Sequence, residues 1–342
     1  VPDTFRMVQG LQKKGILNRY MDFMQKSDID GLDQFLGQCN IRQDDYIPWI
    51  LYSMDTGDAF ERINNSKTAG TLKGIDCFIK DAYQMPYIPG SSLKGVLRTA
   101  LLVHEIIRAN SSEYDQLKAE LDRALRPRDG KPRRTVYLKA ETKRLEQFFL
   151  HKDTKEGEPR KQDAVNSYLA GLIVSDSEPI PLEQLTLSQK IDLTMKREEK
   201  GLPILREALK PGTVVRTTIS MDGTRCPYTM EEIQTALNEW NDVVYRLFYS
   251  KFGRGNQADK TIWLGGGVGF PTKTLWGAMF GTDYVDKADQ VFRNTLLMGK
   301  RDMYREHKHD QDRRMGVSPH TCKCTRYEGK TYDMGMAKLE VL

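Results

Sequence analysis

The chain has 342 residues, 39% hydrophobic and 29% charged, with a net charge of +5 and a pI near 8.8. These values exclude a disordered, collagen-like or disulfide-stapled protein, and no stretch approaches the roughly 18 apolar residues of a membrane helix. The five cysteines, Cys39, Cys77, Cys226, Cys322 and Cys324, contain no C-x-x-C pair, so free thiols in a reducing cytoplasm are expected, with no metal centre.

The chain opens "VPDTFRMVQGLQKKG", where no apolar core follows the basic residues, so no signal peptide is expected; the start at Val1 suggests that earlier residues are missing. Residues 3–37 read as helices from the spacing of Phe5, Val8, Leu11, Ile16, Leu17, Tyr20, Met21 and Phe23. Ile75, Cys77 and Ile79 at alternate positions predict a strand, followed by a turn and a helix opening near Gly90. Further helices are expected over 113–125 and 139–150. Strands are expected over 168–179, over 185–195 with a bulge or kink, and over 213–221, with a boundary between two units near 196–211. Thr229 with Glu232 forms a capping box for a long helix whose stripe is Ile233, Leu237, Trp240, Val244 and Leu247. One more helix at 287–297 and a hairpin turning on "YEGK" complete the chain.

This order fits an α+β fold of two ferredoxin-like, RRM-like units. The expected division is 1–200, with helical and basic insertions, and 201–342, with a Gly-rich loop. The first unit begins with a helix, so its opening strand is expected to be absent from the chain.

Two stretches have the chemistry of anion sites. In "YIPGSSLKGVLRTALL", Leu93, Val96, Leu97, Ala100 and Leu101 make a core face, while Lys94 and Arg98 lie together off it. Gly90, Ser91 and Ser92 stand where the first-turn amides are free, with Ser91 or Ser92 as N-cap and Gly95 between the cations. An ordinary capped helix with surface cations is the competing reading. In "LGGGVGFPTKT", Gly265, Gly266, Gly267 and Gly269 let the backbone approach another surface; Phe270 offers stacking and Lys273 a phosphate contact. A flexible structural loop is the alternative. G-x-x-x-x-G-K-[ST] is absent and G-x-G-x-x-G fails at Phe270, which disfavours a nucleotide loop.

Residues 123–161 hold thirteen Lys or Arg against six Asp or Glu, Arg133 and Arg134 among them, and are a candidate phosphate-facing arm or groove wall. No catalytic constellation is legible. His307 and His309 lie in a polar stretch that reads as a solvated loop, with metal binding the alternative; His104 sits in the opening helix, and His151 and His320 stand alone.

Five blocks, "YIPGSSLKGVLRTAL", "GLIVSDSEP", "REALKPGTVV", "WLGGGVGFPTKT" and "SPHTCKCTRYEGKTYDMGMAKLEV", occur in this order between Tyr87 and Val341, within a likeness that runs from about Pro2 to Leu342. Together they resemble the fifth-subunit family of type III-A CRISPR–Cas Csm effector complexes, within the RAMP superfamily. The resemblance implies a non-catalytic, cytoplasmic RNA-binding protein without cofactor. It would cap the 3′ side of the CRISPR RNA beside the repeating backbone RAMP subunit and the small helical subunit, and support guide maturation, where host trimming nucleases could dock. It also implies that Gly90, Ser91, Ser92, Lys94, Gly95 and Arg98, and Gly265, Gly266, Gly267 and Gly269, approach the RNA backbone. Family members normally carry a strand and a polar loop before the segment matching Pro2 and Asp3. A RAMP endoribonuclease that cuts repeat RNA is the alternative, and would need a positioned histidine such as His104.

Overall fold

The computed structural model describes residues 1–25, 31–61, 63, 75–126, 137–155, 160–257, 260–298 and 301–342. They form two compact units, Val1–Asp55 and Thr56–Leu342. The smaller unit holds α1 (Thr4–Lys13), α2 (Leu17–Gln25), α3 (Leu32–Gln38) and α4 (Gln43–Tyr46). Asp3 caps α1 by accepting from the Arg6 amide at 3.0 Å. The unit closes on Met7, Leu11, Phe23, Phe35 and Trp49, with Phe23 and Phe35 stacked at 4.7 Å.

The larger unit runs β1 (Ile75–Asp76), α5 (Gly90–Arg108), α6 (Ser112–Leu125), α7 (Lys139–Leu150), β2 (Leu172–Val174), β3 (Leu185–Thr194), β4 (Glu199–Leu209) and β5 (Ile219–Met221). It continues through α8 (Met230–Leu247), β6 (Thr261–Trp263), α9 (Trp276–Phe280), α10 (Tyr284–Thr295), β7 (Leu297–Met298) and β8 (Arg301–Asp302). It ends with α11 (Met303–Glu306), α12 (Asp312–Met315), β9 (Thr321–Tyr327), β10 (Lys330–Asp333) and β11 (Met336–Lys338). The main sheet has the order β1-β4-β3-β9-β10, with β1 parallel to β4 and the other pairs antiparallel. Two-stranded pairs β2–β5, β6–β11 and β7–β8 flank it.

Strand alternation sorts the sheet's two faces. Ile191 and Leu193 on β3 and Cys322 and Cys324 on β9 are buried in one core with Leu97 and Leu101 of α5 and Leu237 and Trp240 of α8. Trp263 of β6 completes this core, edge-on to Trp240 at 5.1 Å and stacked on Tyr249 at 5.6 Å. The local signals act as their chemistry dictates. Thr229 and Glu232 exchange both capping-box bonds at the start of α8. The β9–β10 turn places Glu328 and Gly329 at positive φ, the backbone a two-residue hairpin requires.

The α+β class therefore holds, but the stretch read as a boundary region at 196–211 contains β4, the longest strand among the described residues. Pro203 concealed it. The β3–β4 register breaks between Gln189 and Ile191, opposite 202–204, and a proline that cannot donate to a ladder is tolerated at such an irregularity. Two buried or paired charges also made β4 look solvated. Glu207 lies 4% exposed and binds the Lys80 ammonium and the Phe78 amide, the latter at 2.8 Å; Arg206 pairs with Asp76 at 3.0 Å. The boundary expected at 200/201 falls inside this strand. The strands expected at 75–79 and 213–221 shrink to β1 and β5. Among the described residues, no helix is long and apolar enough to cross a membrane.

Candidate nucleic-acid interface

The first expected site lies at the N-terminus of α5. Gly90 is the first helical residue and Pro89 occupies the N-cap, so neither Ser91 nor Ser92 caps the helix. The reason is steric. A Cβ on Gly90 would stand 2.2 Å from the Val174 carbonyl oxygen and 2.6 Å from that of Ser175, so only glycine lets α5 enter against the end of β2. The Gly90 amide donates to Asp176 Oδ1 at 2.8 Å, and Ile88 and Ser177 exchange bonds next to it. One first-turn donor is thus already matched by a carboxylate of the protein itself. Ser91 and Ser92 remain exposed, and Lys94 is half-buried with no ion-pair partner among the described residues. Gly95 borders open space, and Arg98 pairs with Glu146 of α7 at 3.6 Å.

The second expected site gathers more than its own loop. Gly265 and Gly269 adopt φ +88° and +91°, values that favour glycine. A Cβ on Gly266 would lie 3.2 Å from Arg206 Nη1, and one on Gly269 would lie 3.4 Å from Lys323 Cγ. The loop therefore runs beside cations from β4 and β9, the two neighbours of β3. Lys190 of β3 completes the group. Burial first, then the charges of Lys323 and Arg206, push its ammonium below the ordinary lysine value; Lys273 adds to the effect and Asp192 opposes it. Asp192 binds Lys323 and Asp76 binds Arg206, whereas Lys190 and Lys273 have no ion-pair partner among the described residues. Lys190 and Lys273 are thus the two cations of the group whose charge no ion pair among the described residues offsets.

Sequence reasoning missed Lys190, Arg206 and Lys323 because only strand pairing brings them together. The one signal available was a cation within each of these strands, which carries no register. Phe270 is corrected. Its half-buried ring packs on Phe292 at 4.8 Å and against a second core, so part of its surface is committed to the fold rather than free for stacking. Arg133 and Arg134 lie outside the described residues. Several cations of the flanking basic stretch are paired, Arg144 with Glu120 at 2.5 Å and Lys161 with Asp153 at 2.5 Å. The two candidate sites are separate stations. Val103 of α5 meets Pro271 and Thr274, just past the Gly-rich loop, around a small apolar space, and thirteen residues of helix put Gly90 about 20 Å along the axis from there.

His104, the histidine a nuclease reading would need, is 8% exposed and its Nδ1 meets Glu239 Oε2 at 2.9 Å. Arg108 grips the same carboxylate at 2.8 and 2.6 Å, so the trio fastens α5 to α8.

The chain is 29% identical over 288 residues to the Mycobacterium tuberculosis CRISPR system Cms protein Csm5, covering 79% of this chain and 68% of that one. The Streptococcus thermophilus protein of the same name is 28% identical, over 63% of this chain and 54% of its own length. Among solved structures, a chain in the cryo-EM structure of a Csm–crRNA–target RNA ternary complex of a type III-A CRISPR–Cas system superposes with a TM-score of 0.64 at 18% identity, covering 99% of this chain and 91% of that one. The crystal structure of T. onnurineus Csm5 gives 0.53 at 17% identity, covering 99% and 92%. At those identities the structures speak to the fold alone; with the curated relatives they bear out the resemblance to the fifth Csm subunit read from the sequence. The RAMP superfamily model matches residues 76–277, more than half the chain, and the chain belongs to that superfamily.

Proposed function

From membership of the RAMP superfamily, we propose that this protein is a non-catalytic subunit of a cytoplasmic type III-A Csm complex that binds CRISPR RNA on its 3′ side and supports assembly and guide maturation. The observation that carries the reading is the convergence of Lys190, Arg206, Lys323 and Lys273 on the loop of Gly265 to Gly269. Cations supply salt-dependent attraction to phosphates, and a loop without side chains lets the RNA backbone come close. Such a seat reads charge rather than base sequence, which suits a subunit that must accept any guide. Ser91, Ser92 and Lys94 form a second, weaker contact on the same strand, with Arg98 behind them. The neighbouring backbone RAMP subunit, the small helical subunit and trimming nucleases belong to the proposal as partners. So do the two RRM-like halves, which the long helices α5 and α8 support, revised to share one sheet through β3, β4 and β9. The endoribonuclease alternative loses its best residue to the α5–α8 seam, where Glu239 and Arg108 hold His104.

The test is binding of single-stranded RNA across a salt series. Tight binding with weak sequence preference is expected. Lys190→Glu/Lys273→Glu should weaken it on the order of 100-fold and flatten the salt slope by about two phosphate contacts. Unchanged affinity and slope in a folded double variant would remove the sheet face from the RNA path. Site-specific cleavage of repeat RNA by the purified chain in EDTA, lost in His104→Ala, would instead favour the nuclease.

A further inference from the structure

His309, from a stretch read as a solvated loop with metal binding the alternative, and His320, read as isolated, meet at a carboxylate. Asp312 at the start of α12 is 0% exposed. Its Oδ2 lies 3.0 Å from His309 Nδ1 and its Oδ1 lies 2.6 Å from His320 Nδ1. We propose that His309, Asp312 and His320 bind one divalent transition-metal ion, with zinc the best fit. Two imidazole nitrogens and one carboxylate are a donor set that zinc takes with water in its fourth position.

The geometry supports this beyond composition. All three donor atoms lie within 4.8 Å of one another. Ligand bonds of about 2.0–2.1 Å set tetrahedral donor separations of about 3.3 Å; the two contacts with Asp312, one on each carboxylate oxygen, stand just inside that value at 3.0 and 2.6 Å, and the donor set as a whole lies within 4.8 Å, so an ion draws it together by small side-chain shifts. Two imidazoles on one such ion place their ring centres about 5 Å apart by the same arithmetic; here the His309 and His320 rings stand 5.3 Å apart and steeply inclined at 61°. Ser318 Oγ donates to Asp312 Oδ2 at 2.7 Å, the kind of outer hydrogen bond that orients a ligating carboxylate. The Tyr284 hydroxyl is an independent sign. It is buried with no hydrogen-bond partner among the described residues, and after burial the one charge acting on it is that of Asp312. A water on the ion's open position would supply the missing partner. The site joins the α12 segment to the residue before β9, three positions ahead of Lys323, and so works as a clip on that strand's entry. It stands independently of the RNA reading.

The experiment uses the purified, nucleic-acid-free chain after chelation, titrated with Zn(II) and, in parallel, Co(II). One ion per chain is expected, with the visible d–d absorption of four-coordinate cobalt and no thiolate charge-transfer band. The thermal midpoint should rise by roughly 5 °C at a hundredfold excess of zinc over its Kd. His309→Gln and His320→Gln should each weaken zinc binding at least tenfold. A cobalt spectrum without four-coordinate bands would overturn the proposal, even if both variants fail to fold. A thiolate band, assigning the ion to the buried Cys322, Cys324 and Asp333 instead, would do the same, as would unchanged zinc affinity in a folded His320→Gln chain.

Discussion

The start of α5 and the loop at 265–273 look alike in sequence, each with small residues followed by cations, yet the fold uses them differently. At α5, the glycine serves packing, the leading amide is taken by Asp176, and Arg98 answers Glu146. At the loop, the glycines run beside cations from three strands, and burial together with the neighbouring charges depresses Lys190. A motif reports which groups are present; only the surrounding structure reports whether they are still available.

Four measurements probe that contrast, in order of expected effect. Gly90→Ala should cost about 3 kcal/mol, because a methyl group there meets two backbone carbonyls that cannot turn aside. Denaturant unfolding within 0.5 kcal/mol of the unaltered chain would mean that the close approach is not the glycine's reason. Next, Lys273→Glu should reduce RNA affinity about tenfold, and Lys94→Glu by less, in filter binding at moderate salt. The reverse ranking would make α5 the main seat. Third, Asp176→Asn should destabilise the fold by about 1 kcal/mol through its weakened hold on the Gly90 amide, leaving RNA affinity within twofold. A marked rise in affinity would show that the carboxylate had been occupying a phosphate position.

The smallest effect is the most diagnostic. Lys190→Met should raise stability by up to about 1 kcal/mol while lowering RNA affinity several-fold, opposite signs that a purely structural lysine would not give. The pH dependence follows the same logic. A lysine whose folded value is depressed binds fewer protons folded than unfolded between its two values, so stability rises with pH across that window. RNA affinity falls over the same window as the ammonium is lost. Calorimetric midpoints that do not differ between Lys190→Met and the unaltered chain as pH rises toward the ordinary lysine range would sink this account.

What could be read in advance was whatever depends on neighbours in sequence. The capping box at Thr229, the helix at 139–150, the irregular strand from Leu185 and the turn at Glu328 and Gly329 are all local chemistry, and each formed as read. What depends on distant partners was hidden. Pro203 and the charges of Glu207 and Arg206 hid β4 inside an expected boundary, because the residues that satisfy those charges, Lys80 and Asp76, lie more than a hundred positions earlier. The cationic face needed positions 190, 206 and 323 side by side. The contacts of Phe270 with Phe292 and the second core were hidden for the same reason.

The pairing of β3 with β9 has a consequence for how the chain is made. Thr194 aligns with Thr321, so the open edge of β3 stands without that neighbour while about 130 further residues leave the ribosome. Pairing over such a distance is slow, and an unpaired apolar edge invites other strands in the meantime. It also means that a nascent chain stopped short of β9 carries neither Lys323 nor a closed sheet, so synthesis must run nearly through before the cationic seat exists at all.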